Sequence, residues 1–267
     1  MNCKICTGKT KKIITFEKGH LNENLFGLEN KKFKRSIFHC KNCGHYINKH
    51  KYSDFMKKVY EKDYSKYSYG KVLEKFRSIQ NLPNKKSSNF FRCKFINENI
   101  KRKNNNYILD IGAGFGIFAY SMKKKGWNVV ALEINKELNN FISKKLKIKT
   151  IGLDIIKKKF HKNLRFSMIT LNKVLEHFTY LDAKKVLNKI KYILRPDGFI
   201  YIEVPDGEAA AKKGLHRQEF FLEHHNIFSK KSIKIFLEKL NLKIHKIKKL
   251  KEINGKYTLR IIAQNND

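Results

Sequence analysis

The stretch NYILDIGAGFGIFAYSMKKKGWNVVALEIN, residues 106–135, constrains the fold more than any other part of the sequence. A short apolar run reaches Asp110, and a second one ends beside Glu133. Between them stand three glycines at alternate positions, Gly112, Gly114 and Gly116. A glycine-rich turn between a strand and a helix lets backbone N–H groups approach a ligand closely. The stretch therefore predicts a strand–helix–strand unit that binds a nucleotide-like ligand at the carboxyl ends of its strands.

The alternation of strands and helices continues beyond this stretch. We expect a helix over 135–146 with Asn135 as its N-cap, strands over 149–154, 166–174 and 199–205, and helices over 180–198 and 229–242, the last capped by Ser229. Two final apolar runs, 243–251 and 256–264, flank Asn254 and Gly255 without a helix between them. They predict a closing antiparallel hairpin. The pattern as a whole predicts an α/β fold with a Rossmann-like, doubly wound sheet.

Four of the five cysteines form two C-x-x-C pairs: Cys3 with Cys6, and Cys40 with Cys43. Each pair can direct two thiolates at one ion, and two pairs supply a tetrahedral zinc site. The runs 11–19 and 31–40 predict a hairpin between the pairs, as in a zinc ribbon. A module of about 45 residues buries too little surface to fold alone, so we expect zinc to contribute its folding energy. The alternative is two unrelated cysteine pairs in a reduced protein.

The formal net charge of +36 is extreme for 267 residues. It points either to a polyanionic partner or to compositional drift. Only eight of the 59 basic residues are Arg, the residue best suited to bidentate recognition of phosphates and bases, and the lysines are spread along the whole chain. We favour drift. The absence of any apolar run of about 20 residues and of a leading apolar segment predicts a cytoplasmic protein without a membrane span.

The glycine spacing separates two classes of ligand. Dinucleotide sites carry G-x-G-x-x-G, but here the third glycine comes one residue early and Ile117 stands in its place. The motif ILDIGAGFG, Glu133 after the second strand, and the segment LNKVLEHFTYLDAKKVLNKIKYILRPDGFIYIEVPD resemble class I S-adenosylmethionine-dependent methyltransferases, over about residues 105–264. The closing hairpin is also a feature of that fold. The chain departs from the family at Ser167, where an acid usually opens the fourth strand.

The resemblance implies S-adenosylmethionine as the cofactor and identifies the residues that bind it. Those residues are Asp110, Gly112, Gly114, Gly116, Glu133, Ile134, Asp154, Asn172 and Val174. Asp110 and the glycines would face the methionine part, and Glu133 would hold the ribose. Asp154 would meet the adenine amine, although a simple cap or turn role is the alternative. Leu153 or Ile155 would pack on the adenine ring.

A second resemblance concerns the acceptor side. The segment FFLEHHNIFS, residues 220–229, resembles the Glu-His segment of bacterial methyltransferases that carry an N-terminal four-cysteine zinc domain. Several of these enzymes methylate nucleotide-linked deoxysugars. By this resemblance Glu223 and His224 would carry acid–base chemistry, and Tyr64, with Tyr60 and Tyr67, would reach over the active site. The alternatives are that His224 caps the next helix and that the tyrosines only pack the module onto the main domain.

Three segments follow from these patterns: a zinc-binding module over 1–48, an aromatic linker and helical segment over 49–104, and an S-adenosylmethionine-binding methyltransferase domain over 105–267. The second segment is expected to be helical over 71–103, interrupted at 81–89, with a loop at 101–106. Glu176 and His177 are expected to orient a loop. The oligomeric state stays open.

The favoured function is methylation of a small molecule, a sugar or nucleotide-sugar in glycan or polysaccharide biosynthesis. The alternative is an RNA methyltransferase, motivated by the zinc ribbon and the charge. A protein that keeps the cofactor fold without catalysis is a third reading, and the intact glycine turn and Glu133 argue against it.

Overall fold

The computed structural model describes residues 1–20, 23–28, 33–101, 106–161 and 164–266. Of the predicted loop at 101–106, residues 102–105 lie outside the described residues, as do residues 31–32 of the predicted strand at 31–40. Within the described ranges, every helix is too short or too polar to cross a lipid bilayer.

The chain begins with an antiparallel sheet. Its first strands are β1 (Thr10–Phe16), β2 (Arg35–Cys40) and β3 (Tyr46–Lys49). β1 pairs with β2, so the hairpin predicted between the two cysteine pairs is confirmed, and β3 adds to the other edge of β2. β3 was not predicted because its buried positions are Tyr46 and Asn48, which give no apolar alternation.

Four helices connect this sheet to the rest of the chain. They are α1 (Ser53–Lys62), α2 (Tyr64–Ser68), α3 (Val72–Gln80) and α4 (Ser88–Asn99). The last two confirm the predicted helical stretch with its interruption. Ser87 caps α4 by accepting a hydrogen bond from the Phe90 N–H at 3.1 Å, which explains why the helix restarts there. The tyrosine-rich stretch forms α1 and α2.

The remaining elements comprise a second sheet, seven-stranded in the described part of the chain, the helices between its strands, and the short strand β9. They are β4 (Tyr107–Ile111), α5 (Ile117–Lys124), β5 (Asn128–Leu132), α6 (Lys136–Lys144), β6 (Lys149–Ile151), β7 (Phe166–Asn172), α7 (Tyr180–Ile193), β8 (Leu194–Pro205), α8 (Gly207–Ala211), β9 (Asn226–Ile227), α9 (Lys230–Glu238), β10 (Leu242–Lys251) and β11 (Tyr257–Asn265). The predicted alternation and both predicted N-caps, Asn135 and Ser229, are confirmed. The helix expected to reach residue 198 ends at Ile193, because the chain is already extended in β8 from Leu194. The short elements α8 and β9 were not predicted.

The order of strands in the second sheet places the site. It runs β10-β11-β8-β7-β4-β5-β6. The strands β8, β7, β4, β5 and β6 are parallel to one another, and β11 is antiparallel to β8. The chain moves outward from β4 through β5 to β6, then returns to β7 on the other side of β4. Parallel sheets bind ligands at such a switch point, beyond the carboxyl ends of the strands. β9 does not join this sheet and pairs with β3 of the first one.

A buried ionic network ties α4 and β11 to the centre of the sheet. The fully buried carboxylate of Glu203 on β8 accepts hydrogen bonds from Arg92 Nε at 2.9 Å, Arg260 Nε at 3.0 Å and the Tyr201 hydroxyl at 2.7 Å. Burial alone would raise the pKa of Glu203, but the attraction of Arg92, Lys173 and Arg260 holds it below the ordinary value. The carboxylate is therefore ionised and bonded in the folded state.

One outer edge of the second sheet is β10, with the sequence LKIHKIKKLK, and the other is β6. Within the described part of the chain, β10 pairs with β11 on one side only. The lysines of β10 are exposed, while Leu242 is buried. This edge is therefore dense in positive charge.

Replacing Glu203 by Gln should lower the free energy of unfolding by about 3–5 kcal/mol near pH 7, because buried guanidinium groups lose their counter-charge. The folded-state pKa is depressed, so this stabilisation is present above the ordinary pKa of about 4.5 and is lost as the pH falls towards the folded-state value. Urea unfolding at pH 7 and pH 4 measures both effects. The exposed Glu238→Gln is the control, and equal stability of Glu203→Gln and wild type at pH 7 would refute the network's role.

Candidate active site

A cavity of about 430 Å³ lies at the carboxyl ends of the central strands. The predicted site residues that line it are Tyr64, Gly112, Gly114, Glu133, Ile134, Asp154, Asn172, Val174, Glu223 and His224. Asp110 and Gly116 are outside its lining. The structure therefore brings most of the residues predicted for the cofactor and for the acceptor into one space.

The turn after β4 requires glycines because neighbouring side chains pack directly against its backbone. Gly112 has a φ of +65°, and a Cβ there would lie 2.6 Å from Val174 Cγ2. Gly114 has a φ of +56°, and a Cβ there would lie 3.0 Å from the Tyr69 hydroxyl. Both conformations are strained for other residues. Gly116 instead starts α5, and a Cβ there would meet Ile142 and Leu146 beneath the turn.

The carboxylate of Glu133 holds this turn against the end of β5. It accepts the Gly114 N–H at 2.7 Å and the Asn135 N–H at 2.9 Å. Burial raises the pKa of Glu133 to about 7, although these backbone donors act in the opposite direction. Each carboxylate oxygen keeps a further lone pair, so the group can also accept hydroxyl donors from a ligand in the cavity.

Asp110 lies just below the turn and is fixed by β7. Its Oδ1 accepts hydrogen bonds from the Thr170 hydroxyl at 2.6 Å and from Asn172 Nδ2 at 2.9 Å. Its Oδ2 and the Asn172 Oδ1 are buried without a hydrogen-bond partner among the described residues. Burial raises the pKa of Asp110 to about 6. Of these two unpaired acceptors, Asn172 lines the cavity and Asp110 lies behind it, so the pair forms a polar base beneath the glycine turn that suits a cationic amino group.

Asp154 fixes a turn, as the alternative role considered for it predicted, and it also lines the cavity. Its Oδ1 accepts the Ile156 N–H at 2.8 Å in this turn, which follows β6. Leu153, half exposed, and the buried Ile155 line the same part of the cavity. An apolar slot with a carboxylate at its rim suits a flat heterocycle that carries an amino group.

The acceptor half of the cavity lies beyond the turn. His224 Nδ1 donates to the Glu219 carbonyl at 3.0 Å, which leaves Nε2 with its lone pair, 4.0 Å from Glu223 Oε1. Ser229 and Ser232 form the capping box of α9, so His224 is not the cap of that helix. Burial lowers the pKa of His224 and raises the pKa of Glu223 to about 7. The pair therefore combines a neutral imidazole with a carboxyl that titrates near neutrality.

Tyr60 of α1 and Tyr64 of α2 close this half of the cavity, whereas Tyr67, which was expected to join them, is exposed and lies outside the lining. Tyr60 Oη lies 3.0 Å from His177 Nδ1, and the rings of Tyr60 and Tyr64 are 5.2 Å apart. Burial raises the pKa of Tyr64 to about 12. The phenol therefore stays protonated at neutral pH and acts as a hydrogen-bond donor. Asn135 Nδ2 donates to the Lys62 carbonyl at 3.2 Å and ties this segment to the cofactor half.

Comparison with known proteins identifies the family. The family model described as "Methyltransferase domain" matches residues 88–247, more than half of the chain. The chain belongs to this methyltransferase family. The predicted enzyme class, an S-adenosylmethionine-dependent methyltransferase, is thereby confirmed.

Solved structures share the fold of this methyltransferase. The 1,6-didemethyltoxoflavin-N1-methyltransferase of Burkholderia thailandensis, with bound S-adenosylhomocysteine, is 13% identical; the match covers 94% of this chain and 100% of that one, with a TM-score of 0.59. The magnesium protoporphyrin IX methyltransferase of Synechocystis PCC 6803 is 12% identical, covering 78% and 99%, with a TM-score of 0.58. Such low identities establish the fold alone, and they confirm the predicted Rossmann-like sheet.

A curated relative matches a smaller part of the methyltransferase. It is the ribosomal RNA small subunit methyltransferase A of Malacoplasma penetrans (strain HF-2), 29% identical over 104 residues. The match covers 36% of this chain and 37% of the relative. The chain thus spans little more than a third of that relative's length.

The four cysteines of the C-x-x-C pairs converge as predicted. Their sulfur atoms all lie within 4.8 Å of one another, with 3.7 Å between Cys3 and Cys43 and 3.4 Å between Cys6 and Cys40. Sulfur atoms around a tetrahedral zinc lie about 3.8 Å apart. A hydrogen bond from Cys43 lowers the pKa of Cys3 to about 4. The donor set and its spacing fit a structural zinc site.

The first sheet also positions the loop that carries Glu223 and His224. Arg35 Nη1 donates to the Phe220 carbonyl at 2.7 Å, and Asn48 Nδ2 donates to the Phe221 carbonyl at 3.0 Å. Glu23 Oε1 accepts the Leu222 N–H at 2.7 Å, while its Oε2 is paired with Arg35 at 3.1 Å.

Further contacts between the first sheet and this loop are the pairing of β3 with β9, a hydrogen bond between His45 and Asn226, and one from the Ser229 hydroxyl to the Cys43 carbonyl at 2.6 Å. The loop is thus bonded to the cysteine-bearing part of the chain along its whole length.

Some residues of the site were not found from the sequence. Tyr69 covers Gly114, Thr170 fixes Asp110, and Lys256 brings the tip of the closing hairpin into the cavity lining. A polar residue in the apolar run of β7 was the available signal for Thr170. Tyr69 and Lys256 reach the site through chain folding, and their local sequence carries no such signal.

Purified methyltransferase should contain one zinc ion per chain, because the four thiolates match the ligand set that zinc prefers. Mass spectrometry of the metal content, together with thiol titration before and after chelation, checks this. Replacing Cys40 by Ser should release the zinc and lower the melting temperature, whereas Cys93→Ser should retain it. Metal-free native protein with four reactive thiols at these positions would contradict the prediction.

Replacing Arg35 by Ala should loosen the loop at residues 219–226, since Glu23 and the Phe220 carbonyl lose a buried partner. Amide exchange there should speed by roughly tenfold for each 1.4 kcal/mol of lost local stability. Exchange in β4 should stay unchanged, and hydrogen–deuterium exchange mass spectrometry resolves the two regions. Asn48→Ala is a milder variant, and the exposed Arg77→Ala is the control. Unchanged exchange in both loop variants would show that these contacts do not hold the loop.

Proposed function

We propose that the protein transfers a methyl group from S-adenosylmethionine to a small-molecule acceptor, a sugar or nucleotide-sugar of glycan or polysaccharide biosynthesis in the cytoplasm. One observation carries this proposal: a single cavity joins the glycine turn and Glu133 to the pair Glu223 and His224. A cofactor at the turn and an acceptor beside the pair would therefore meet within one cavity.

The cofactor is assigned to the turn side of the cavity. Asp110 and Asn172 would bind the amino group of its methionine part, and the Gly112–Gly114 backbone would lie against it. Glu133 would accept its ribose hydroxyls, with Ile134 beside them. Leu153, Asp154 and Ile155 would hold the adenine. Val174 would pack behind Gly112, and Gly116 would support the turn from below.

When bound, S-adenosylmethionine supplies an activated methyl group on a sulfonium. The chain's own residues position the acceptor and take up its proton. Glu223 and His224 are proposed to remove the proton of the attacking hydroxyl, amine or carbon. Tyr64 is proposed to donate a hydrogen bond to an acceptor oxygen, because its phenol stays protonated at neutral pH.

The partial cover over the acceptor half supports a small acceptor. α1 and α2 cover the cavity with Met56, Tyr60 and Tyr64, and hydrogen bonds tie them to the body of the protein. A structured RNA would have to insert a flipped base through this cover. By their names, the structural neighbours from Burkholderia and Synechocystis also act on small molecules.

RNA methylation is the second candidate, because the partial relative from Malacoplasma is a ribosomal RNA methyltransferase and the net charge is +36. The two candidates differ in a measurable way. An RNA enzyme should bind RNA with an affinity that falls steeply with salt, because each neutralised phosphate releases counterions.

His224→Ala should slow turnover by roughly 100-fold or more, as expected for loss of an acid–base group, while the Kd for S-adenosylmethionine stays within about twofold. Glu133→Ala should instead weaken cofactor binding by roughly tenfold or more. Calorimetry measures cofactor binding. Release of S-adenosylhomocysteine over a panel of sugar nucleotides measures turnover, and the exposed Glu208→Gln serves as control.

Wild-type turnover in His224→Ala would remove that residue from the mechanism. Tight RNA binding with a steep salt slope, together with RNA-dependent turnover, would replace the sugar assignment by the RNA one. Failure to bind S-adenosylmethionine would refute the proposed function as a whole.

A further inference from the structure

Three side chains with metal-ligating atoms converge in the acceptor half of the cavity. Glu176, His177 and His224 each offer one such atom, and these atoms all lie within 4.8 Å of one another. All three residues line the cavity. They come from two segments that are far apart in sequence, the short helical turn after β7 and the loop after α8. This cluster is separate from the four cysteines.

Glu176 has no partner that explains its burial. Its side chain is fully buried, and neither carboxylate oxygen has a hydrogen-bond partner among the described residues. Burying a carboxylate without hydrogen bonds is costly, so such a group normally has a ligand, a cation or a proton. Its position on the cavity wall leaves room for a ligand.

Both histidines have a ring nitrogen beside a backbone carbonyl. His177 Nδ1 lies 2.9 Å from the Glu223 carbonyl, and His224 Nδ1 lies 3.0 Å from the Glu219 carbonyl. A carbonyl only accepts, so His224 Nδ1 carries the hydrogen and its Nε2 keeps its lone pair. His177 Nδ1 also lies 3.0 Å from the Tyr60 hydroxyl, and the Lys173 carbonyl acts on the same ring. A backbone carbonyl on one ring nitrogen fixes the orientation of the ring for ligation through the other.

The surrounding charges are mixed. The ammonium groups of Lys173 and Lys256 act on Glu176, and Lys173 is itself paired with Glu252 at 2.8 Å. Glu223 adds a second carboxylate beside His224. Long-range attraction therefore contributes little here, and a cation would be held by direct ligation.

We propose that Glu176, His177 and His224 bind a divalent transition-metal ion. Two imidazoles and one carboxylate are the donor set of catalytic zinc and of non-heme iron, in which further coordination positions stay open. The open positions would face the acceptor, and adjacent hydroxyls of a sugar could fill them. The chemical use of the ion rests on the proposed function.

With the ion in place, the roles within the Glu223–His224 pair separate. A bound cation would lower the pKa of an acceptor hydroxyl beside it. His224 would serve as a ligand, and the Glu223 carboxylate would take the proton as the acceptor oxygen bonds to the methyl carbon. The C–S bond of the cofactor would break in the same step, with its electron pair staying on sulfur as a thioether.

The test uses full-length protein carrying one zinc at the cysteines, without acceptor or cofactor. It is titrated with Mn²⁺, followed by electron paramagnetic resonance, and with Zn²⁺, followed by calorimetry. Mn²⁺ is a hard ion that does not displace zinc from thiolates. Wild type should bind one additional equivalent. Glu176→Gln and His177→Asn should weaken this binding at least tenfold, while the exposed Glu238→Gln should leave it unchanged.

Two results would overturn the inference: no saturable one-to-one binding of either ion by the wild type, or equal binding by wild type and Glu176→Gln. Gln is isosteric with Glu, and melting curves verify that the variant is folded. The titration contains no acceptor, so its failure leaves methyl transfer to be judged by the turnover assay. An ion that binds as expected to a protein without methyltransferase activity would refute the proposed function alone.

Discussion

The buried ion pair between Arg35 and Glu23 is the interaction on which the acceptor half of the site depends. Both side chains are fully excluded from water, so each requires its partner. Each side chain also forms a hydrogen bond with the backbone of the same loop: Arg35 donates to the Phe220 carbonyl, and Glu23 accepts from the Leu222 N–H. Through these bonds, the small cysteine-bearing sheet fixes the position of the loop that carries Glu223 and His224. A domain that was merely attached to a catalytic core would not need such contacts. Because of them, the cysteine-bearing sheet helps to form the wall of the site.

Much of the fold follows from local sequence. The central strands β4 and β7 and the apolar part of β8 are largely buried runs, and glycines, N-caps and polar turns separate them clearly. The cofactor side is equally local, because Asp110, the glycines and Glu133 lie within one strand–helix–strand unit. Residues close in sequence have few alternative arrangements, so their proximity can be predicted from the local sequence pattern alone.

The acceptor side follows from long-range contacts that no local pattern reveals. β9 has two residues and exists only because β3, about 180 positions earlier, offers it an edge. Glu176 and His177 were expected to orient a loop, and the structure places them against His224, whose segment lies more than 45 residues further on. These three residues can act together only because they lie within a few ångströms of one another. The sequence predicts the residue types but not the distance between them.

The lysines of β10 have a consequence for how copies of the protein meet. An open strand edge offers free N–H and C=O groups to any other strand, and a second copy of the same edge is the most abundant candidate. Here two such edges would bring rows of ammonium groups face to face, and their repulsion opposes the pairing. That part of the positive charge would therefore oppose edge-to-edge aggregation between copies of the protein. High salt, which screens the repulsion, would weaken this protection.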